Sequence, residues 1–258
     1  MILKKIKKAW KFLKEKKYKL FVQRFIYFFK QGTLQFLEIF CYPYAIFKIK
    51  RFNSKNSGEI FDFAYNFCFG LIRPMQIKEE FLEFLKIIQE LNPKYILDIG
   101  TAKGGTLFLF ARNLSDDIVI ITIDQGGWPL SGGYPIWKRL IFKSFKKNNQ
   151  KIHFIQSDSH NIHTLNKVKD ILKNNTLDLI FIDGDHSYEG VKKDFEMYSP
   201  LARKGGIIAL HDCLLNNDDF ASGGVKRFWD NIKREYRFKE IIQEKDNKEF
   251  GIGVVSVD

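Results

Sequence analysis

The stretch from Tyr95 to Leu114, YILDIGTAKGGTLFLFARNL, limits the choice of folds more than any other part of the chain. Its apolar start predicts a buried strand that ends near Asp98, and its second half predicts a helix that begins at about Gly105. Between them, Gly100 and Gly104 allow backbone conformations and close ligand approaches that a side chain would block. The pattern therefore predicts a strand, a tight turn and a helix whose free N–H groups point into the turn.

The spacing of these glycines separates three kinds of nucleotide-binding turn. A dinucleotide fingerprint requires glycine at the position of Ala102, and a P-loop requires Gly-Lys-Ser or Gly-Lys-Thr where this chain has Gly104-Gly105-Thr106. Neither pattern fits. Many α/β proteins also carry a glycine turn for packing alone, so the turn by itself leaves both cofactor binding and a plain strand–helix connection open.

The spacing Asp98-x-Gly100-x-x-x-Gly104 resembles the first motif of the class I S-adenosylmethionine-dependent methyltransferases. The resemblance implies that the loop containing Gly100, Thr101 and Gly104 wraps the amino-acid end of S-adenosylmethionine. It also implies that Asp98 lies near the ammonium group of this cofactor.

The rest of the chain alternates between strand and helix patterns. Further strands are predicted at Ile118–Ile123, Ile152–Ile155, Leu177–Ile182, Ile207–Leu210, Phe238–Gln243 and Gly251–Val257. Helices are predicted at about Gln76–Leu91, Ile136–Lys147, His160–Leu172 and Gly224–Tyr236. A further helix is predicted after Gly190 and ends at about Leu201. Asp246 and Asn247 mark a turn between the last two strands. We therefore predict an α/β fold: a doubly wound, Rossmann-like, seven-stranded and mostly parallel sheet with a C-terminal antiparallel hairpin, plus a helical basic N-terminal extension.

The segment from Ile182 to Asp212, IDGDHSYEGVKKDFEMYSPLARKGGIIALHD, is the most specific pattern in the chain. It resembles the methyltransferase family that includes the cephalosporin-hydroxylase-like and macrolide-sugar O-methyltransferase proteins. The resemblance extends over roughly Gln76–Asp212 and is absent from residues 1–75. It implies an S-adenosylmethionine-dependent enzyme that methylates an oxygen of a small molecule or of a sugar.

Polar side chains follow the predicted strands at the edge where an open parallel sheet binds its ligands. They are Asp98, Asp124, Asp158, Asp183, His211 and Asp212. The resemblance places Asp124 at the ribose hydroxyls of the cofactor, and Ser157 and Asp158 at its adenine. The alternatives are a solvated loop aspartate at position 124 and helix N-capping by Asp158 or Ser159. Asp183 is expected to be a catalytic residue that also binds the cofactor.

Asp183, His211 and Asp212 offer two carboxylates and an imidazole, a set that would hold a divalent cation such as Mg²⁺. Related metal-dependent O-methyltransferases carry an acid where this chain has His211. A hydrogen-bonded His211–Asp212 pair without a metal is the alternative. His186 is the candidate general base because an unperturbed histidine titrates near neutral pH; its alternative is a bond to its own loop. His153, His160 and His163 receive no role.

The net charge of +12 is confined to the beginning of the chain. Residues 1–51 hold 14 Lys/Arg and 2 Asp/Glu, whereas residues 52–258 hold 28 of each, which argues against nucleic-acid binding by the main domain. Residues 1–19 form a basic amphipathic pattern, and phenylalanines continue it to residue 51. Either residues 1–51 contact an anionic membrane peripherally, or they pack on the domain or on a second subunit in a homo-oligomer. The predicted division is 1–75 for the extension and 76–258 for the catalytic domain.

Three isolated cysteines and the lack of a long apolar run point to a cytoplasmic protein, peripheral at the inner membrane face if residues 1–51 bind lipid. The GGWPLSGG segment at residues 126–133 is predicted to cover the substrate or to form a surface loop. Two rival functions remain. One is a non-catalytic cofactor-binding scaffold at a membrane-associated glycan assembly, and the other is an NAD(P)-dependent oxidoreductase, which Ala102 disfavours.

Overall fold

A computed structural model of the chain describes residues 38–125, 133–214, 223–242 and 250–258. The predicted helix at residues 1–19, most of the covering segment at 126–133 and the turn at Asp246 and Asn247 lie outside these residues. Residues 38–51 are helical. Residues 44–258 form one compact unit. The predicted division between residues 1–75 and 76–258 stays a prediction. No helix in the described ranges has the length and apolarity to cross a bilayer.

The predicted seven-stranded sheet is confirmed. Its strands are β1 (Tyr95–Ile99), β2 (Val119–Asp124), β3 (Lys151–Gln156), β4 (Leu177–Ile182), β5 (Ala202–His211), β6 (Phe238–Ile241) and β7 (Ile252–Ser256). They lie in the order β3-β2-β1-β4-β5-β7-β6. Strands β1 to β5 are parallel, and β7 is antiparallel to both of its neighbours. The order reverses between β1 and β4, which is the topological switch point where such sheets bind ligands.

Helices connect the parallel strands and cover the sheet. They are α1 (Ser57–Asn66), α2 (Lys78–Leu91), α3 (Gly105–Asn113), α4 (Arg139–Phe142), α5 (Ile162–Leu172), α6 (Tyr188–Tyr198) and α7 (Gly223–Ile232). Alternate residues of each strand point to opposite faces, so the central strands contribute side chains to a core on each face of the sheet.

The two faces of the sheet bury different side chains. On one face, Phe81, Phe84, Phe110 and Phe181 pack with neighbouring ring centroids 5.5–6.5 Å apart. On the other, aliphatic strand residues pack against α5, α6 and α7, where Trp229 is completely buried. Both cores hold the strands rigidly, so the loops at the strand ends are presented from a fixed frame.

Several predicted element bounds are wrong. The helix predicted at Ile136–Lys147 is a short 3-10 turn followed by α4, which ends at Phe142. The backbone there continues with i-to-i−3 hydrogen bonds, and the hydroxyl of Ser144 donates to the carbonyl oxygen of Ile141 at 2.6 Å, which competes with a regular helix. Strand β5 begins at Ala202, five residues before the predicted start. The register of its pairing with β4 shifts between Leu177 and Leu179, and Gly205 with φ 72° allows β5 to continue through this shift.

Candidate active site

The turn after β1 lies directly against the end of β4. Gly100 has φ 104°, and a Cβ on it would lie 2.0 Å from the carbonyl oxygen of Asp183. Gly104 has φ 83° at the cap of α3, where a Cβ would meet the ring of Phe142 at 2.3 Å. The glycine spacing read from the sequence is therefore required by two close approaches, one to the backbone of β4 and one to an aromatic ring.

A cleft of about 420 Å³ opens at the carboxyl ends of the strands, and we call it the carboxyl-end cleft. Its walls are Ile99, Gly100, Ala102, Ile123, Asp124, Gln125, Ser157, Ser159, His160, Asp183, Gly184 and Asp185. Of the predicted cofactor residues, Gly100, Asp124, Ser157 and Asp183 line this cleft. Asp98, Thr101, Gly104 and Asp158 are not among its walls.

Asp98 is fully buried below the glycine turn. Its Oδ2 accepts a hydrogen bond from Thr122 Oγ1 at 3.0 Å, and Thr122 Oγ1 in turn hydrogen-bonds Thr101 Oγ1. Its Oδ1 is buried without a partner among the described residues. Burial raises the pKa of Asp98 to about 7, although the hydrogen bond from Thr122 opposes that shift. An unsatisfied buried carboxylate beside a ligand-binding turn is suited to a cationic group of the ligand.

Asp124 at the end of β2 anchors the glycine turn. Its Oδ2 accepts the N–H of Ala102 at 2.6 Å, and Ala102 adopts the left-handed φ of 44° that favours glycine. Burial raises the pKa of Asp124 to about 6, with backbone N–H groups acting in the opposite direction. The carboxylate thus lies in the wall of the carboxyl-end cleft.

The loop after β3 forms another wall of the cleft. Asp158 is exposed and its Oδ1 accepts the N–H of His160 at 2.9 Å, a bond within the loop that precedes α5. The true N-cap of α5 is Asn161, not Asp158 or Ser159. His160, to which the sequence pattern assigns no role, lines the cleft, and its Nε2 lies 3.3 Å from Asp194 Oδ1. Burial raises the pKa of the completely buried Asp194 to about 6.

A second group of polar side chains gathers where β4 and β5 end, and we call it the His–Asp cluster: Asp183, His186, His211 and Asp212. Asp183 Oδ1 lies 3.1 Å from His211 Nδ1 and 3.4 Å from His186 Nε2. Asp212 Oδ2 lies 3.0 Å from His186 Nδ1, and its Oδ1 lies 3.0 Å from His211 Nδ1. Asp212 has φ 62°, a strained conformation of the kind that active sites hold in place. Each histidine thus bridges the same two carboxylates.

The charges in this cluster change which residue can accept a proton. Hydrogen bonds to Asp183 and Asp212 raise the pKa of His186 to about 10. Burial alone would raise the pKa of Asp183, but the two histidines lower it to about 2. Burial alone would lower the pKa of His211, but Asp183 raises it. The general-base role predicted for His186 assumed an unperturbed pKa. With the pKa raised in this way, the imidazole holds both protons at neutral pH, so a general-base role for His186 stays a prediction that requires prior loss of a proton.

Gln76 orients the cluster and was not recognisable from the sequence. Its Nε2 donates to Asp183 Oδ2 at 2.8 Å, and its Oε1 accepts from Thr106 Oγ1 at 3.1 Å. Because Gln76 lies 107 positions before Asp183, no local pattern connects the two. The amide leaves Asp183 Oδ1 facing the histidines, so it fixes which oxygen is available to a ligand.

The His–Asp cluster fits a divalent cation. One atom from each of Asp183, His186 and Asp212 lies within 4.8 Å of the others. The sequence-based set contained His211 instead of His186; His211 is buried close to both carboxylates, and its Nε2 has no partner among the described residues. Two carboxylate oxygens and an imidazole nitrogen are ligands that Mg²⁺, Mn²⁺ or Zn²⁺ would accept.

Comparisons with known proteins agree with this geometry. Residues 97–213 match a family model described as a methyltransferase domain. The flavonoid 3',5'-methyltransferase of Vitis vinifera is 30% identical over 137 residues, which cover 53% of this chain and 54% of that protein. The rhamnosyl O-methyltransferase of Mycobacterium bovis is 23% identical over 177 residues, which cover 64% of this chain and 66% of that protein. The chain thus spans about half to two thirds of the length of these relatives.

The fold also matches solved structures. The O-methyltransferase from Bacillus cereus, solved in complex with SAH, superimposes with a TM-score of 0.52 at 20% identity. The match covers 81% of this chain and 95% of that protein. At this identity the similarity establishes a shared fold, in agreement with the doubly wound sheet and the antiparallel β7 described above.

Proposed function

We propose that this chain is an enzyme that transfers a methyl group from S-adenosylmethionine to a hydroxyl oxygen. Residues 97–213 would form its class I S-adenosylmethionine-dependent methyltransferase domain. The acceptor is a small molecule or a sugar. The observation that carries this proposal is the position of Asp183, which lines the carboxyl-end cleft and also belongs to the His–Asp cluster. A donor in the cleft and an acceptor at the cluster would therefore meet at one carboxylate.

The walls of the carboxyl-end cleft suit the donor. Asp124 presents a carboxylate to ribose hydroxyls, and the glycine turn at Gly100 allows the amino-acid end to approach the backbone. The buried carboxylate of Asp98 lies behind this turn and favours a positive charge near it. Burial of these acids in a narrow space makes the site more favourable for a sulfonium cation than for a phosphate-bearing dinucleotide.

The His–Asp cluster would bind and orient the acceptor. A divalent cation bound there would act as a Lewis acid that lowers the pKa of the acceptor hydroxyl. Gln76 holds Asp183 in one orientation, and the strained backbone of Asp212 fixes the second carboxylate. Because histidine binds metal only in its neutral form, His186 would have to give up a proton to become a ligand. Alignment of the reacting oxygen with the methyl group would supply most of the acceleration.

The names of the relatives suggest two classes of acceptor for this chain. One relative is named for a flavonoid and another for a rhamnosyl group, so both aromatic and sugar hydroxyls are candidates. Both are neutral hydroxyl groups that a cation-bound carboxylate cluster would activate in the same way.

Binding and turnover experiments test the proposal in two steps. Calorimetric titration of the full chain with SAH and with NAD is expected to give binding of SAH only; binding of NAD without SAH would overturn it. Labelled S-adenosylmethionine is then incubated with rhamnosides and with catechols, and methyl transfer to either class is expected. EDTA is expected to stop transfer and Mg²⁺ to restore it. Transfer that EDTA leaves unchanged would remove the metal from the proposal but not the methyl transfer.

A further inference from the structure

A second cleft lies far from the proposed donor site, at the amino ends of the parallel strands. Its volume is about 680 Å³, larger than that of the carboxyl-end cleft. It is formed by the loop before α1, the end of α3 and the turn that leads into β3. Its walls are Lys50, Phe52, Asn53, Ser54, Lys55, Ile60, Arg112, Asn113, Asp116, Lys146, Lys147 and Asn148. We call it the basic cleft.

Five cations and one acid line the basic cleft. The acid, Asp116, is already neutralised: Lys147 Nζ lies 3.2 Å from its Oδ1, and the side-chain amide of Asn148 donates to its Oδ2. These contacts lower the pKa of Asp116, with the hydrogen bond from Asn148 as the largest cause. Asp116 therefore does not compete for the remaining cations.

Three of the five cations are uncommitted. Lys50, Lys55 and Lys146 form no ion pair with any residue that the structure describes, and all three are exposed. Lys55 and Lys146 belong to residues 52–258, which carry equal numbers of acids and bases, so their presence in one wall is a local excess of positive charge. Lys50 belongs to the basic first 51 residues. Unpaired positive charges on one wall of a cleft attract an anion to it.

Arg112 makes the cleft a preformed structure. Its guanidinium donates to the carbonyl oxygens of Ile49 at 2.7 Å, Phe52 at 3.3 Å and Ser144 at 3.4 Å, which ties three separate segments together. Its Nε is buried without a partner among the described residues, and burial lowers the pKa of the group. The wall thus keeps its shape without a ligand and retains one buried donor.

The basic beginning of the chain does not supply the missing counter-charge. Residues 1–37 hold 11 Lys/Arg and a single acid, Glu15, so they carry the same sign as the cleft. Neither of these two regions can therefore neutralise the other.

We propose that the basic cleft binds an anion that carries one or more phosphate groups. Phosphate oxygens accept several hydrogen bonds at once, which suits lysine ammonium groups together with the amide of Asn53. The volume accommodates a diphosphate or a phosphorylated headgroup. The same chemistry could be supplied by a soluble phosphorylated metabolite or by the headgroup of an acidic phospholipid, and the experiment separates these sources.

The test uses the full chain and inorganic pyrophosphate, with affinity measured by calorimetry. The double variant Lys55→Gln/Lys146→Gln is expected to bind pyrophosphate at least tenfold more weakly than the wild type. The matched control Lys167→Gln/Lys169→Gln removes the same charge from the exposed side of α5 and is expected to stay within twofold. Absent binding, or equal weakening in both double variants, would overturn the proposal, because the latter reports only net charge.

Vesicles then identify the source. Sedimentation with phosphatidic acid vesicles that is lost in the Lys55→Gln/Lys146→Gln variant, and that pyrophosphate displaces, supports a lipid headgroup. Pyrophosphate binding without any difference in sedimentation between the two double variants supports a soluble phosphorylated ligand. SAH affinity serves as the folding control, and it is expected to be the same in all variants because the two clefts lie at opposite ends of the strands.

Discussion

The two ends of the parallel strands carry opposite charge. The carboxyl ends collect carboxylates and imidazoles, whereas the amino ends collect lysines and Arg112 around the basic cleft. Apart from Lys50, both sets come from residues 52–258, which hold 28 acidic and 28 basic residues. A neutral composition therefore conceals two charged sites, because parallel strands place every loop that follows a strand at one edge and every loop that precedes one at the other.

Removal of one carboxylate at the carboxyl end should have the largest effect. Asp183→Asn leaves both histidines with a single acidic partner and removes the group shared by the cleft and the cluster. We expect the kcat/KM for methyl transfer to fall about 1,000-fold, or roughly 4 kcal/mol. Initial rates with labelled S-adenosylmethionine measure this change. Asp170→Asn, at an exposed position of α5, should keep the wild-type rate; a similar loss in both variants would contradict the assignment.

A smaller effect is expected at the donor. Asp124→Asn keeps an oxygen for the N–H of Ala102 but replaces the charged acceptor in the wall of the cleft. Loss of hydrogen bonds to a charged group should weaken SAH binding about 10- to 100-fold. Calorimetry measures the dissociation constant. Asp116→Asn makes the same substitution at the basic cleft and is the control. Equal weakening of SAH binding in both variants would contradict the assignment of the donor site to the carboxyl ends of the strands.

The buried carboxylate of Asp98 is expected to lower the free energy of unfolding. The pKa of Asp98 is about 7 in the folded protein and 3.8 in the reference state, so folding favours the protonated carboxyl. The penalty is absent below about pH 4, grows as the pH rises, and is constant above pH 7. Asp98→Asn should therefore stabilise the ligand-free protein by about 1–3 kcal/mol at pH 8 and by less at pH 5. Thermal unfolding at both pH values checks this; a gain that does not grow with pH would count against the raised pKa.

The smallest effect is expected at His160. Its ring lies between the wall of the cleft and the buried carboxylate of Asp194, so it positions the loop after β3. His160→Gln should raise the KM for S-adenosylmethionine about three- to fivefold and leave kcat unchanged, as expected for loss of about one hydrogen bond. His163→Gln, at an exposed position in the first turn of α5, is the control. A fall in kcat at constant KM would place His160 in the chemical step instead.

The positions of the strand ends were predictable because each buried parallel strand is a short apolar run that a polar residue ends. Apolar runs bounded by glycine and followed by an acid or a histidine placed Asp124, Asp183, His211 and Asp212 at the same edge, and the structure has them there. Asp98 was placed at the right strand, but whether its carboxylate reaches the cleft depends on side-chain direction within β1, and it faces the buried hydroxyl of Thr122.

Features that depend on distant partners could not be read from the sequence. The pKa of His186 is set by two carboxylates on different loops, and the orientation of Asp183 is set by Gln76. The basic cleft was missed because its cations come from three separate segments: Lys50 and Lys55, Arg112, and Lys146 and Lys147. The early end of α4 at Phe142 was not predicted, because the hydrogen bond from the Ser144 hydroxyl to the backbone of Ile141 interrupts an otherwise helical pattern.

The position of β7 has a consequence for how the chain reaches its native state during synthesis. This strand follows β6 in the sequence but lies between β6 and β5, so β6 has no neighbour to pair with until residues 252–256 have left the ribosome. Until then the edge of β5 carries unpaired backbone groups that would accept a strand from another chain. A nascent chain stalled before residue 252 would therefore be a prime client for chaperones, even with both charged sites already translated.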